Sequence, residues 1–403
     1  MFILNQAQYT IKDRTFWQII ISLGMASLFV FATMYSLQPI LPLFTEDFHI
    51  PISYASLSMS LTTVGLIFGL LTIGFLSDRK GRVMFIRLSV IASTIILFII
   101  PFMDVFGLII FFRFIQGFAL AGVAGTALAY MAEEIHPKHF GFAATLYISC
   151  NSLGGMIGRF FTSYIAETFS WEMALFILGG FGLLTFLLVT FTLPASIHFT
   201  ESTKTYAEDV KGFLVHFKNP LLLLMFGLGI VLQMSFTGMW TFLPFHLIEA
   251  PYHLSLQHIS YFYLAYSLGI VGAPIAGWLV GKFSLSTIRL VGVIILSAGM
   301  FITLSSSLIA ISIGLSLICL GFFVSHSIAT TTVSQEATHH KGSASSLYLV
   351  AYYLGVSMGT TLLTPLWENF AWRGIILFTA CLPIIYVGVV KLFQAKLKRR
   401  AEV

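Results

Sequence analysis

Apolar residues fall in twelve long runs, at residues 17–39, 53–77, 84–103, 107–132, 141–166, 172–194, 220–246, 259–281, 286–306, 308–332, 343–366 and 374–394. Each approaches or exceeds the ~20 residues a helix needs to cross the hydrocarbon of a bilayer. The pattern predicts an all-α membrane protein of twelve transmembrane helices. The longest hydrophilic break lies at 195–219 and holds Glu201, Lys204, Glu208, Asp209, Lys211 and Lys218. It divides the runs into two groups of six. The expected organisation is an N-terminal six-helix bundle at 1–194, a linker at 195–219 and a C-terminal six-helix bundle at 220–403.

Composition sharpens this reading. Apolar residues make up 58% of the 403 positions and charged residues 9%, where a soluble chain carries about 25% charged. A water-soluble fold cannot hide that much apolar surface, so lipid is the solvent for most of the chain. A soluble enzyme, a disordered chain and a nucleic-acid-binding domain are excluded. The three cysteines, Cys150, Cys319 and Cys381, lie inside apolar runs and form no CxxC pair. Neither a disulfide framework nor a zinc site is expected.

Basic residues are distributed by side. The N-terminus, the even-numbered loops and the C-terminus hold 18 Lys and Arg, including Arg87 and Arg289 at the run edges, and the odd-numbered loops hold only Arg373. Positive charge gathers on the cytoplasmic face. The chain is therefore expected in the cell membrane as a multi-pass protein, with both termini and the linker cytoplasmic.

The halves also repeat. At a constant offset of 201, Gly141 meets Gly342, Leu146-Tyr147 meets Leu347-Tyr348, Leu153-Gly154 meets Leu354-Gly355, Gly158 meets Gly359 and Trp171 meets Trp372. An offset of half the chain, in the same membrane orientation, means parallel, pseudo-symmetric six-helix repeats. Such repeats place a solute path at their interface near the midplane.

The turn between runs 2 and 3 reads Gly74-Phe75-Leu76-Ser77-Asp78-Arg79-Lys80-Gly81-Arg82. Gly81 lets the backbone bend, and Asp78 can pair with an Arg or accept from a helix N-terminus. With the spans and the repeat, this segment resembles the signature loop of the major facilitator superfamily, G-x-L-x-D-R-x-G-R, matched at Gly74, Leu76, Asp78, Arg79, Gly81 and Arg82. The resemblance implies that the loop helps to lock the two halves in an outward-open state. The second-half copy, Gly277 to Lys282, is degenerate, with Gly281 read in place of the acid.

Run 4 carries Arg113, a charge that costs about 2.5–3.5 kcal/mol or more inside a span. It is expected either to snorkel to the outer surface or to face a wet cavity or a partner. Arg113, Gln116 and Gly117 resemble the R-x-x-Q-G motif of the drug/proton antiporter branch, which implies a part in proton coupling for Arg113. In run 5, Gly154 and Gly158 share one face, where helices can approach closely. The antiporter branch has a Gly-Pro here; this chain has Gly154-Gly155, which departs from the exporter pattern. Arg159, near the outer end of run 5, is read either as snorkelling or bridging to Glu167 or Glu172, or as a substrate contact.

No Asp or Glu lies in the middle of any span. Buried cations without a central anion make a cavity electropositive, which favours anionic or zwitterionic solutes. Proton carriers are then sought in Arg113, Glu133, Glu134 and His326, with His246 a weaker candidate. His339-His340 is read as a headgroup-facing turn rather than a metal site. Polar and aromatic residues of runs 1, 7 and 8 suit a cavity wall, so Gln38, Gln233, Trp240 and Tyr266 join Arg113 and Arg159 as substrate candidates. Pro39, Pro42, Pro244 and Pro274 are expected to break spans where helices bend.

The reading is a secondary transporter, a proton-coupled exporter of a small organic solute. A metallophore or organic acid is favoured over a drug or sugar derivative; an importer or uniporter on the same fold is the alternative. An enzyme would need a nucleophile, a metal cluster or paired acids at midplane, and the sequence offers none. The expected partners are the solute, protons and the bilayer, with no nucleic acid, no cofactor and a monomeric chain.

Overall fold

The computed structural model describes residues 8–203, 205–337 and 341–401; His339 and His340 lie outside the described residues. The chain is helical throughout: α1 Arg14–Tyr35, α2 Leu41–Asp47, α3 Ile52–Lys80, α4 Arg82–Ile99, α5 Phe106–Glu134, α6 Pro137–Thr168, α7 Trp171–Thr192, α8 Tyr206–Leu214, α9 Pro220–Ile248, α10 Leu256–Phe262, α11 Tyr266–Leu279, α12 Leu285–Ile302, α13 Leu308–Glu336, α14 Lys341–Thr361 and α15 Thr364–Ala401. Among the described residues there is no strand, only the isolated bridges Tyr9–Ile135 and Val280–Phe283.

Among the described residues, eleven segments are long and apolar enough to cross a membrane. The twelfth is α14. Its 21 residues are diluted with Ser345, Ser346, Gly355, Gly359 and Thr360, the small residues by which membrane helices approach one another. This is a multi-pass membrane protein of twelve spans. Hydrophilic side chains start the helices: Asn219 Oδ1 accepts from the Leu221 amide at 2.9 Å with Pro220 at the first helical position, and Ser284 Oγ accepts from Thr287 at 3.1 Å. Such caps satisfy amides that no helix interior can.

Contacts group the chain into two compact units, one of Met1–Leu37 and Leu61–Thr205 and one of Gln38–Ser60 and Tyr206–Val403. In the first, Gly154 and Gly158 of α6 lie directly on the α1 backbone at Leu28 and Ala32. In the second, Gly355 and Gly359 of α14 lie on the α9 backbone at Ile230 and Met234. The glycine pair read from the sequence is thus a helix-docking device, used once in each unit. The 195–219 break is not all loop. Ser196, Ile197 and His198 are held by Glu134, and α8 follows.

The prolines act unequally. The first span breaks at Ser36–Leu37, and Pro39 and Pro42 fall in the short 3-10 turn and helix beyond it. Pro244 and Pro274 sit inside helices that run on without interruption, contrary to the expected breaks. The non-helical residue in the last span is Ala371, at φ 47°. Gly81 and Gly281 both take positive φ, 91° and 94°. Gly281 therefore serves as the turn glycine equivalent to Gly81, and does not stand at the position of Asp78.

A Cβ on Gly158 would collide with the Ala32 backbone, whereas one on Gly141 meets nothing within 4 Å. Gly158→Ala is expected to destabilise the detergent-solubilised protein by about 1–3 kcal/mol, the usual cost of overpacking, while Gly141→Ala leaves it unchanged. Thermal unfolding of the two variants measures the difference.

Candidate functional site

Helix α1 ends at Tyr35, so its last carbonyls lose their intrahelical partners. In a spanning helix such groups need a donor from the protein or from a wet cavity. Arg113 of α5 supplies one: Nη1 donates to Thr33 O at 3.1 Å and Nη2 to Met34 O at 2.9 Å. Nη1 also donates to Gln116 Oε1 at 2.5 Å, and Gln116 Nε2 donates to Ser93 O of α4 at 2.9 Å. Both side chains are fully buried. Arg113 does not snorkel. Its cation sits at a helix C-terminus, where the helix dipole favours positive charge.

Arg159 is also inside the unit, only 2% exposed, so it too does not snorkel to the surface. Its Nη1 donates to Gly155 O at 2.7 Å, and its guanidinium lies 4.0 Å from the centre of the Tyr35 ring. Gly155, where the antiporter pattern has proline, leaves room for it: a Cβ there would press on Arg159 Nη1. The cation–π contact is one of the interactions that hold this charge inside the unit. The first unit thus carries two buried cations around the end of α1.

The second unit gathers the other substrate candidates. Gln38 Nε2 donates to Thr241 Oγ1 at 2.9 Å and to Thr237 O at 3.3 Å, and Gln233 Nε2 donates to Thr237 Oγ1 at 2.8 Å. Gln233 Oε1 and Trp240 Nε1 are buried without a hydrogen-bond partner. Trp240 packs against Tyr266 at 4.9 Å and Tyr263 at 5.2 Å, and Phe236 joins Tyr266 to Phe322. Phe322 stacks on His326, 5.7 Å away and nearly parallel, and His326 Nδ1 lies 3.0 Å from the Tyr348 hydroxyl. Gln38 and Gln233 thus meet through Thr237, and Trp240, Tyr266 and His326 are joined through Phe236 and Phe322 into an aromatic strip. His246 stands apart from it, stacked on Trp372 at 4.6 Å.

The turn motif is tied to α5. Arg82 bridges Asp78 at 2.7 Å and Glu133 at 2.7 Å, while Arg79 Nη1 donates to Phe75 O at 2.8 Å. Gly74 has open space around it, so it lies at no close helix contact. Glu134 is fully buried, and its carboxylate accepts from Ser196 Oγ, from the amides of Ile197 and His198, and faces His198 Nδ1. It anchors the start of the linker. The structure thus separates the two neighbouring acids that the sequence groups as proton carriers.

Sequence reasoning missed Arg87 and Arg289, assigning both to loops. Arg87 lies on α4 and donates through Nη2 to Thr190 O at 3.1 Å. Arg289 lies on α12, 1% exposed, with Met225 Sδ 3.4 Å from Nη1. The signal was present: Ile86-Arg87-Leu88 recurs as Ile288-Arg289-Leu290. Among the described residues no group of three His, Cys, Asp or Glu could hold a metal ion.

Known proteins agree with this architecture. A family model described as Major Facilitator Superfamily matches residues 23–360. The inner membrane transport protein YnfM of Escherichia coli is 34% identical over 95% of this chain and 92% of its own. The benzoate transport protein of Acinetobacter baylyi is 24% identical over 70% of this chain and 68% of its own. The crystal structure of a D-xylose–proton symporter shares the fold at a TM-score of 0.73 and 15% identity, covering 93% of this chain and 97% of that one. The chain belongs to the Major Facilitator Superfamily, whose members carry small solutes across membranes.

Proposed function

We propose that this transporter is a proton-coupled exporter of a small organic anion, working in the cell membrane by alternating access, with both termini cytoplasmic. The observation that carries the reading is Arg159: a cation buried in the first unit over an aromatic ring, on a span whose one acid, Glu167, lies in its last turn. A carboxylate that reaches such a charge gains a charge-assisted pairing of the kind arginine offers, with a fork that suits bidentate contact. The aromatic strip of the second unit, with an unmet amide oxygen and indole N–H, suits a flat organic acid that also carries a hydroxyl or carbonyl. The similarity to a benzoate transport protein supports that class, and an aromatic metallophore has the same chemistry.

Within this reading Arg159, Gln38, Gln233, Trp240 and Tyr266 contact the solute. Arg113 holds the end of α1 in place for them. The proton is carried by His326, through its contact with Tyr348, and by Glu133, whose Oε2 is buried without a partner. Glu134 stays an anchor. The Asp78, Arg79, Gly81 and Arg82 turn, with its Arg82–Glu133 bridge, gates the exchange between states. A second reading, uptake or uniport, is favoured by one feature: α6 has Gly154-Gly155 where exporters of the antiporter branch carry Gly-Pro.

Everted vesicles decide direction and charge. An exporter accumulates radiolabelled benzoate when the interior is acidified, and a lipophilic cation such as tetraphenylphosphonium is not taken up. Accumulation independent of the pH gradient, or robust cation transport, overturns the proposal. Arg159→Gln is expected to lower anion transport roughly tenfold to a hundredfold, the value of a hydrogen bond to a charged group. His326→Gln is expected to abolish gradient-driven accumulation while solute exchange at equal pH persists. Arg113→Gln leaves carbonyls of α1 unmet, so it lowers the thermal unfolding temperature as well as transport. A variant with wild-type stability and no coupling would assign Arg113 to the proton path instead.

A further inference from the structure

A cleft of about 560 Å³ opens at the end of the first unit, between the α3–α4 turn, α4 and the last turns of α7. Its volume is that of a small-molecule site. It arises because α7 stops at Thr192, leaving carbonyls that no further helical turn covers. Arg87 reaches across to them, donating to Thr190 O at 3.1 Å and Leu193 O at 3.5 Å.

The polar lining is incomplete. Arg87 and Thr190 both line the cleft, and Arg87 Nε and Thr190 Oγ1 lie just behind its surface, buried without a hydrogen-bond partner. Lys80 stands at the rim. Arg82 also lines the cleft, but its charge is met by Asp78 and Glu133. Among the described residues neither Lys80 nor Arg87 has a carboxylate partner, and no acid lines the cleft. The site therefore holds two uncompensated cations and two unmet polar atoms.

The other wall is apolar. Leu88 and Met84 on α4 are 51% and 46% exposed, and Ile91 and Phe186 continue the wall. In a membrane protein these faces meet acyl chains. Basic pockets between spans on the face where positive charge gathers are the places where anionic headgroups bind. In the second unit Arg289, the repeat mate of Arg87, is instead sealed at 1% exposure, with Met225 Sδ 3.4 Å from Nη1.

We infer that this cleft binds an anionic glycerophospholipid: its phosphodiester sits on Lys80 and Arg87, its glycerol oxygens meet Thr190, and its acyl chains run along Leu88 and Phe186. The lipid then rests beside the Arg82–Glu133 bridge, so its occupancy bears on the turn that carries the family signature. The chemistry recognised is a phosphate attached to a hydrocarbon anchor. A free phosphate would satisfy the polar lining and leave the apolar wall unused.

Native mass spectrometry of the full chain, delipidated in detergent and titrated with phosphatidylglycerol, phosphatidylcholine or inorganic phosphate, tests this. Phosphatidylglycerol is expected to be retained in preference to the other two. Lys80→Gln is expected to weaken that retention about fivefold, the worth of one basic residue near an anionic lipid. Leu88→Trp, which fills the apolar side without changing charge, is expected to abolish the preference. Lys138→Gln, an exposed basic residue outside the cleft, is expected to change nothing. Equal retention of both lipids, equal losses from Lys80→Gln and Lys138→Gln, or retention of inorganic phosphate with no preference for phosphatidylglycerol would each overturn the assignment.

Discussion

Lipid cannot hydrogen-bond a carbonyl, so a break in a spanning helix must be answered by a protein donor or by water in a cavity. The break at Ser36–Leu37 is one such place. Arg113 meets it through two carbonyls of α1, and Gln116 braces Arg113 against Ser93 of α4. Three helices are thereby fixed to one another around the end of α1. Tyr35, the last residue of that helix, then presents its ring to Arg159. The position of the second cation follows from the way the first is used.

The second unit shows the same constraint by contrast. There α9 runs unbroken through Pro244, so no comparable row of carbonyls is exposed. The residue 201 positions after Arg113 is Gly314, which packs closely against Gly299 instead of donating hydrogen bonds. The helix-docking glycines are kept in both units, because close approach is needed in both. The arginine is kept only where a helix ends. Arg87 and Arg289 tell a related story: the same residue reaches terminal carbonyls beside an open cleft in one unit and is sealed against a methionine in the other.

Much of this was legible in the sequence. The spans show as apolar runs because lipid demands length and low polarity, and the glycine pair shows because nothing else fits at a backbone contact. The outer residues of the first span were also marked, by Pro39 and Pro42. What could not be read was which proline would break a helix, since Pro244 and Pro274 have the same local chemistry and leave their helices continuous. Arg113 was flagged by its cost in a span, but its partners are backbone carbonyls, which look alike at every position. Glu133 and Glu134 were grouped because they are adjacent. On a helix adjacent residues point about 100° apart, and these two consequently meet different neighbours. Arg87 and Arg289 were hidden because they lie near run edges, where a basic residue reads as a loop charge.

The end of α5 shows what that separation achieves. Glu133 reaches Arg82 of the α3–α4 turn, and Glu134 holds the backbone of Ile197 and His198. The Glu134 carbonyl accepts from Tyr9 N at 2.8 Å, and His136 N donates to Tyr9 O at 3.0 Å. The burial of Tyr9 and the nearby Glu134 charge push the Tyr9 phenol above its ordinary range, so it stays neutral beside that acid. Ser202 N then donates to Asp78 O at 2.9 Å, closing a loop from linker to turn. One helix end thus binds the N-terminal segment, the signature turn and the first residues of the linker. Each attachment uses a buried or half-buried hydrogen bond, and these are costly to leave unmade. A movement of the turn cannot leave the linker where it was, since both are held by neighbouring carboxylates on a single rigid helix.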